Sequence, residues 1–125
     1  MELRRILIAD DEADVRNTLR RILERAGYEV IETEDGRQAL RALELRAPDL
    51  LVIDLAMPGM DGIQVLRELR LRRIQVPVIA YSGAPASDVT LDSARLLGAV
   101  AVLGKPFEPA QLLGAIAGAL DHEHA

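Results

Sequence analysis

Short apolar runs and longer amphipathic stretches alternate along this chain five times over. Arg5-Ile6-Leu7-Ile8-Ala9 is rich in branched residues and has the length of a buried strand. Residues 13–26 follow with Val15, Leu19, Ile22, Leu23 and Ala26 at helical spacing, and Gly27 stops that helix. Residues 28–33 read as a second strand. Asp35-Gly36 turns into a helix carrying Ala39, Leu40, Leu43 and Ala47, which Pro48 closes. Leu50-Leu51-Val52-Ile53 is the most apolar strand. Pro58-Gly59 makes a turn, and Asp61 is placed to cap a third helix bearing Val65, Leu66 and Leu69. Residues 76–81 predict strand four, 86–97 a weaker helix ended by Gly98, and 100–103 strand five. Pro109 suits the first turn of a last helix running to about Leu120. On that helix Leu112, Leu113, Ile116, Ala117 and Leu120 fall on one side, the expected core face. Gln111, Gly114, Ala115 and Gly118 fall on the other. Residues 121–125 carry no periodicity and are expected to be a disordered tail.

Five βα units whose strands lack polar alternation imply a parallel sheet covered by helices on both faces. The expected fold class is α/β: a three-layer sandwich of a five-stranded parallel sheet and five helices. Right-handed crossovers leave few strand orders, and 2-1-3-4-5 is the common one, with a switch point between strands one and three. Ligands bind beyond the carboxyl ends of strands in such sheets.

Length and composition narrow the setting. The chain's 125 residues fit one domain, placed at 1–120, and half of them are hydrophobic, enough for a core. No apolar run approaches the roughly 18 residues of a membrane span, and the N-terminus has no signal-peptide shape. With no cysteine there are no disulfides or thiolate sites, and a reducing, cytoplasmic setting is expected. A net charge of −5 argues against direct nucleic-acid binding. The densest basic group, Arg16, Arg20, Arg21 and Arg25, reads as the solvated back of the first helix.

The chemistry collects at the strand ends. Strand one ends in Asp10-Asp11, strand three in Asp54, strand four in Tyr81-Ser82-Gly83, and strand five in Gly104-Lys105-Pro106. In the 2-1-3-4-5 order the three carboxylates converge, with Ser82 and Lys105 beside them. Such a cluster is relieved by raised pKa values or by a bound cation. With only oxygen ligands the cation would be hard, and Mg²⁺ is the natural choice. A lysine and a hydroxyl offer a phosphoryl group positive charge and a hydrogen-bond partner, and a carboxylate nucleophile would make an aspartyl phosphate. Asp14, Asp35, Asp49 and Asp61 read instead as turn or cap residues.

At these residues the sequence resembles the receiver domain of two-component response regulators. The matching segments are Ile8-Ala9-Asp10-Asp11-Glu12, then residues 54–62 (DLAMPGMDG), Ser82-Gly83, and Lys105-Pro106-Phe107, within residues 4 to 120. The resemblance implies a flavodoxin-like fold and a signalling switch rather than an enzyme acting on outside substrates. It implies that Asp54 is the phosphoacceptor and itself a ligand of Mg²⁺, and that Asp11 ligates the ion directly, with Asp10 acting mainly through water. The Ala56 backbone carbonyl is implied as a third ligand, Ser82 as the switch hydroxyl, Lys105 as the phosphoryl contact, and the bond before Pro106 as cis. Two features depart from the family's pattern. The aromatic often found three residues before the lysine is Val102, with Tyr81 a conceivable substitute and a strand residue packed under a helix the simpler reading. The positions two after the phosphoacceptor and two after the serine are the small Ala56 and Ala84.

The implied partners are a sensor histidine kinase or phosphotransfer domain and a downstream effector, with a homodimer through the last helix. The chain carries no output domain, so it acts either alone or as the receiver of a larger regulator or hybrid kinase. A flavodoxin-like cofactor module would need a phosphate-cradling loop after strand one, where this chain is acidic, and more aromatics than Tyr28, Tyr81 and Phe107. An aspartyl-phosphate phosphatase would need its nucleophile after strand one and a second Asp two residues on. Gly104-Lys105 is followed by Pro106 and makes no Walker loop. His122 and His124 fall in the expected tail and are read as inert.

Overall fold

Every apolar run becomes a strand and every amphipathic stretch a helix in the computed structural model, which describes residues 3–83 and 88–123. The elements are β1 (Arg5–Ala9), α1 (Ala13–Arg25), β2 (Glu29–Thr33), α2 (Gly36–Arg46), β3 (Leu50–Asp54), α3 (Gly62–Leu71), β4 (Val78–Ser82), α4 (Asp88–Leu96), β5 (Ala101–Gly104) and α5 (Pro109–Glu123). All strand pairs are parallel, in the order β2-β1-β3-β4-β5. The expected three-layer arrangement is the observed one.

Alternate residues of each central strand feed two separate cores, because successive side chains point to opposite faces. Ile6, Ile8, Leu50, Val52, Ile79 and Tyr81 pack with Leu19 and Leu23 of α1 and Leu112 and Ile116 of α5. Leu7, Ala9, Leu51, Ile53, Val78 and Ala80 pack with Leu40 and Leu43 of α2, Val65 and Leu66 of α3 and Ala94 of α4. β3 and β4 are buried along their whole length.

Local chemistry sets the boundaries. Asp35 caps α2 by accepting from the Gln38 amide, as Asp61 caps α3 by accepting from the Gln64 amide. In the second case the Gln64 side chain returns a bond to the Asp61 amide, completing a capping box. Gly27 leaves α1 at φ +95°, a left-handed conformation that glycine enters without steric cost. Gly62 is needed for another reason: a Cβ there would lie 2.7 Å from the Asp54 carbonyl oxygen and 2.8 Å from Leu55 Cα. Its lack of a side chain lets α3 begin directly against the end of β3.

Two boundaries differ from the sequence expectation by two residues or more. β4 starts at Val78 rather than at 76, since Pro77 has no N–H to give a ladder, although its carbonyl accepts from Leu51. α5 runs on to Glu123, past Leu120, so residues 121–123 continue the helix instead of opening a tail. Residues 84–87, where the sequence places the start of the fourth helix, and residues 124–125 lie outside the described residues. The face of α5 also turns slightly. Leu112, Ile116, Ala119 and Leu120 are buried, Leu113 and Ala115 half-buried, and Ala117 exposed beside Gly114 and Gly118.

The arginine row on α1 is not simply a solvated back. Arg16 is mostly buried and pairs with Glu32 at 3.5 Å and Glu34 at 3.8 Å, while Arg20 meets Glu32 at 2.6 Å. These contacts tie α1 to the end of β2 and neutralise part of the row. Among the described residues no helix is long and apolar enough to cross a membrane.

Candidate functional site

β1 and β3 are neighbours in register, Ala9 opposite Ile53, so Asp10 and Asp54 leave the sheet side by side. Asp11 follows on the turn into α1. Carboxylate oxygens of Asp10, Asp11 and Asp54 all lie within 4.8 Å of one another. Asp10 is fully buried, Asp54 nearly so, and Asp11 exposed, which leaves the cluster open to solvent on the Asp11 side. The sequence expectation that these three converge is met.

Each buried carboxylate is held by short-range donors. Asp54 Oδ1 accepts from the Ala56 amide at 2.9 Å. Asp10 Oδ1 accepts from the Glu12 amide at 2.8 Å, its carbonyl accepts from Arg16 Nη1 at 2.7 Å, and its Oδ2 accepts from the Tyr81 hydroxyl. Desolvation pushes the Asp54 carboxyl up to about 6, with the charges of Asp10 and then Asp11 adding to the rise. The Ala56 amide and the Lys105 ammonium oppose the shift but do not overcome it.

β4 and β5 deliver the remaining side chains. Ser82 pairs with Gly104 across these strands, and the Lys105 amide donates to the Ser82 carbonyl at 3.0 Å, which sets both beside the carboxylates. The Ser82 hydroxyl is buried and donates to the Gly83 carbonyl at 3.2 Å, so it is engaged locally and not with Asp54. Lys105 Nζ sits 5.0 Å from the centre of the Tyr81 ring, a cation–π distance. The Lys105-Pro106 bond is cis, as expected. Ala56 is exposed beside Asp54, and Ala84 lies outside the described residues. Val102 is half-buried against the α2–α4 side of the sheet. Tyr81 is fully buried on the opposite side, under α1 and α5, which is the simpler of its two sequence readings.

Two contributors are not legible in the sequence. Arg16 reads there as one of a solvated row, yet it holds the Asp10 carbonyl. Nothing along the chain links the Tyr81 hydroxyl to Asp10, 71 positions away. The only available signal is a polar tip on an otherwise apolar strand.

The donor set fits a hard divalent cation. The clustered side-chain donors are carboxylate oxygens, and no histidine, cysteine or other softer ligand shares the cluster among the described residues.

A model of the response regulator receiver domain matches residues 6–117. This chain belongs to that family. It is 37% identical over 113 residues to the chemotaxis protein CheY of Bacillus subtilis, covering 90% of this chain and 93% of CheY. It is 40% identical over 114 residues to the transcriptional regulatory protein PdtaR of Mycobacterium tuberculosis, covering 90% of this chain and 55% of PdtaR. Among solved structures, a CheY-like receiver domain protein from Methanospirillum hungatei superposes with a TM-score of 0.91 at 31% identity, covering 98% of both chains. The chain spans about half the length of the first curated relatives it matches. It is thus a receiver domain of the two-component type, a signalling switch by family, with an acidic cluster suited to a metal ion.

Proposed function

We propose that this receiver domain accepts a phosphoryl group on Asp54 from a histidine kinase or phosphotransfer domain, with Mg²⁺ bound, and thereby switches its contact with a downstream effector. The observation that carries this reading is the position of Asp54, desolvated at the end of β3 within 4.8 Å of two further carboxylates. With its carboxyl near 6, Asp54 is mostly ionised at neutral pH and available as a nucleophile.

A carboxylate oxygen of Asp54 attacks the phosphorus of a phosphohistidine. An O–P bond forms, the P–N bond breaks, and the imidazole nitrogen leaves with the electron pair. Asp11 and Asp54 directly, Asp10 through water, and the Ala56 carbonyl would hold Mg²⁺, which when bound offsets the negative charge gathered at the site. Lys105 supplies positive charge to the phosphoryl oxygens. Ser82 turns its hydroxyl from the Gly83 carbonyl to one of those oxygens, and that exchange of partners is a local signal of phosphorylation. Loss of the phosphoryl group is the same site's second step: water attacks phosphorus and Asp54 is released. The small Ala56 leaves that approach open.

Incubation with acetyl phosphate and Mg²⁺ should add one phosphoryl group by intact-mass measurement, with acetate leaving. Omission of Mg²⁺ or the change Asp54→Asn should prevent it. Phosphorylation of Asp54→Asn at the wild-type rate would reject the assignment.

We place partner contact, including a homodimer, on the outward face of α5. Gly114 and Gly118 there face open space: a methyl group on either would meet nothing within 4 Å. Yet each costs roughly 1 kcal/mol relative to alanine in a helix interior. Small residues four apart admit a neighbouring backbone. Gly118→Glu should therefore raise thermal stability slightly and abolish assembly as read by light scattering of the phosphorylated protein. Unchanged assembly would leave the face inert.

A further inference from the structure

We propose that the Tyr81 hydroxyl is the positioning group of the Asp10 carboxylate and thereby sets the site's affinity for Mg²⁺. This inference rests on the phosphoryl-acceptor reading above and adds to it a residue outside the acidic cluster.

Asp10 has no exposed surface, so its carboxylate depends on protein donors for the hydrogen bonds it loses from water. One oxygen takes the Glu12 amide, a bond to its own turn. The other takes the Tyr81 hydroxyl, the side-chain donor this carboxylate has among the described residues. Arg16 fixes the Asp10 backbone and does not reach the carboxylate. Rotation of the carboxylate is therefore restrained at one oxygen by the turn and at the other by Tyr81.

Tyr81 itself has little freedom to move. Its ring is fully buried among Ile6, Ile8, Leu112 and Ile116, with the Phe107 ring 5.7 Å away at a tilt of 58°. Its backbone pairs with Asp54 across the sheet, and its carbonyl accepts from Leu55 at 2.9 Å. Lys105 lies over its ring. One side chain is thus in contact with Asp10 and Lys105, while its backbone is tied to the strand that ends in Asp54. Burial, together with the neighbouring carboxylates, raises the phenol far above its usual range. It stays protonated and donates. A phenylalanine would fill the same core space, so packing alone gives no reason for the hydroxyl.

Groups that orient a metal ligand from behind typically affect metal affinity by about 10- to 100-fold. Tyr81→Phe keeps the ring under Lys105 and removes only the hydroxyl. The expected result is a Kd for Mg²⁺ raised about tenfold, with phosphorylation slowed at limiting Mg²⁺ and restored at saturating Mg²⁺. Calorimetric titration reads the affinity. An independent optical signal comes from Tyr28→Phe, which leaves Tyr81 as the single tyrosine of a chain without tryptophan. Its emission should change on Mg²⁺ addition, because the carboxylate that accepts its hydrogen bond then also faces the cation through the metal's water.

The double variant Asp10→Ala/Tyr81→Phe separates positioning from a general effect on the fold. If the hydroxyl acts through Asp10, adding Tyr81→Phe to Asp10→Ala leaves the Kd unchanged. A further loss of affinity in the double variant would overturn the inference. So would a Kd for Tyr81→Phe within twofold of wild type, or a tighter one, which would mean that the hydroxyl competes with the metal. If the wild-type protein binds no Mg²⁺, the metal-dependent reading fails and this inference fails with it. Binding by wild type with no effect of Tyr81→Phe removes the inference alone.

Discussion

Asp11→Ala is expected to abolish Mg²⁺ binding at millimolar metal, while Lys105→Ala leaves it intact and impairs phosphoryl acceptance or its transmission. Asp11 is the exposed member of the carboxylate cluster, and on the proposed reading it is the one that meets an ion arriving from solvent. Mg²⁺ gives up its water reluctantly and needs charged oxygens to hold it. Removal of Asp11 subtracts both a ligand and a charge. The Lys105 ammonium opposes a cation and becomes useful only when phosphoryl oxygens arrive. Its seat over the Tyr81 ring keeps it close to the carboxylates without needing to pair with them. Metal titration of both variants, followed by phosphorylation with acetyl phosphate, checks this division. Equal losses of Mg²⁺ affinity in the two variants would reject it.

Mg²⁺ affinity should fall about tenfold between pH 7 and pH 5, as protons compete for Asp54. With its carboxyl at about 6, the group is roughly nine-tenths ionised at pH 7 and one-tenth at pH 5. The same shift governs stability of the metal-free fold, with the opposite dependence on pH. Asp54 binds its proton more tightly when folded than when unfolded, because desolvation raises it from 3.8 to about 6. Its contribution is therefore fully present below pH 3.8 and is lost as pH rises through 6. The loss is on the order of 2 kcal/mol, after allowance for screening by solvent on the open side. Urea melts of metal-free wild type and Asp54→Asn at pH 4.5 and 7 isolate this group from the other carboxylates. Wild type should lose stability relative to the variant as pH rises, and saturating Mg²⁺ should return it at pH 7 by mass action. A difference between the two proteins that stays flat with pH would show that Asp54 is not desolvated in solution.

The architecture is readable from one periodicity after another. Runs such as Ile6-Leu7-Ile8 and Leu50-Leu51-Val52-Ile53 have no polar alternation, which is possible only where helices cover both faces of the sheet. That leaves few topologies, and the observed strand order is among them. Asp10, Asp11 and Asp54 are recognisable as a group for the same reason: each follows a strand, and parallel strands all end on one side. The cap residues Asp35 and Asp61 are equally plain, because a cap is made with an amide three positions away. The places where expectation and structure part are set by contacts from outside the element. Ala117 and Ala115 exchange exposure on α5 because alanine's small area gives little signal to fix a helix's rotation. The start of β4 moves because Pro77 cannot donate.

What the chain order could not supply is the support behind the carboxylates. Arg16 looks like one more charge on a solvated helix until the fold brings Glu32, Glu34 and the Asp10 carbonyl around it. Tyr81 looks like a core residue, and its ring is one; only the strand order that sets β4 beside β3, with β1 next beyond it, carries its hydroxyl to Asp10. The Ser82 hydroxyl, expected near a phosphoryl group, rests on the Gly83 carbonyl. Periodicity records which face a residue takes, since burial of apolar area is a local and repeated demand. It carries no record of which polar tip meets which, because a hydrogen bond depends on ångström placement of strands far apart in sequence. The sheet and its acidic edge are therefore written in the pattern of the chain, whereas the bonds that orient the edge come into being only when the strands are laid side by side.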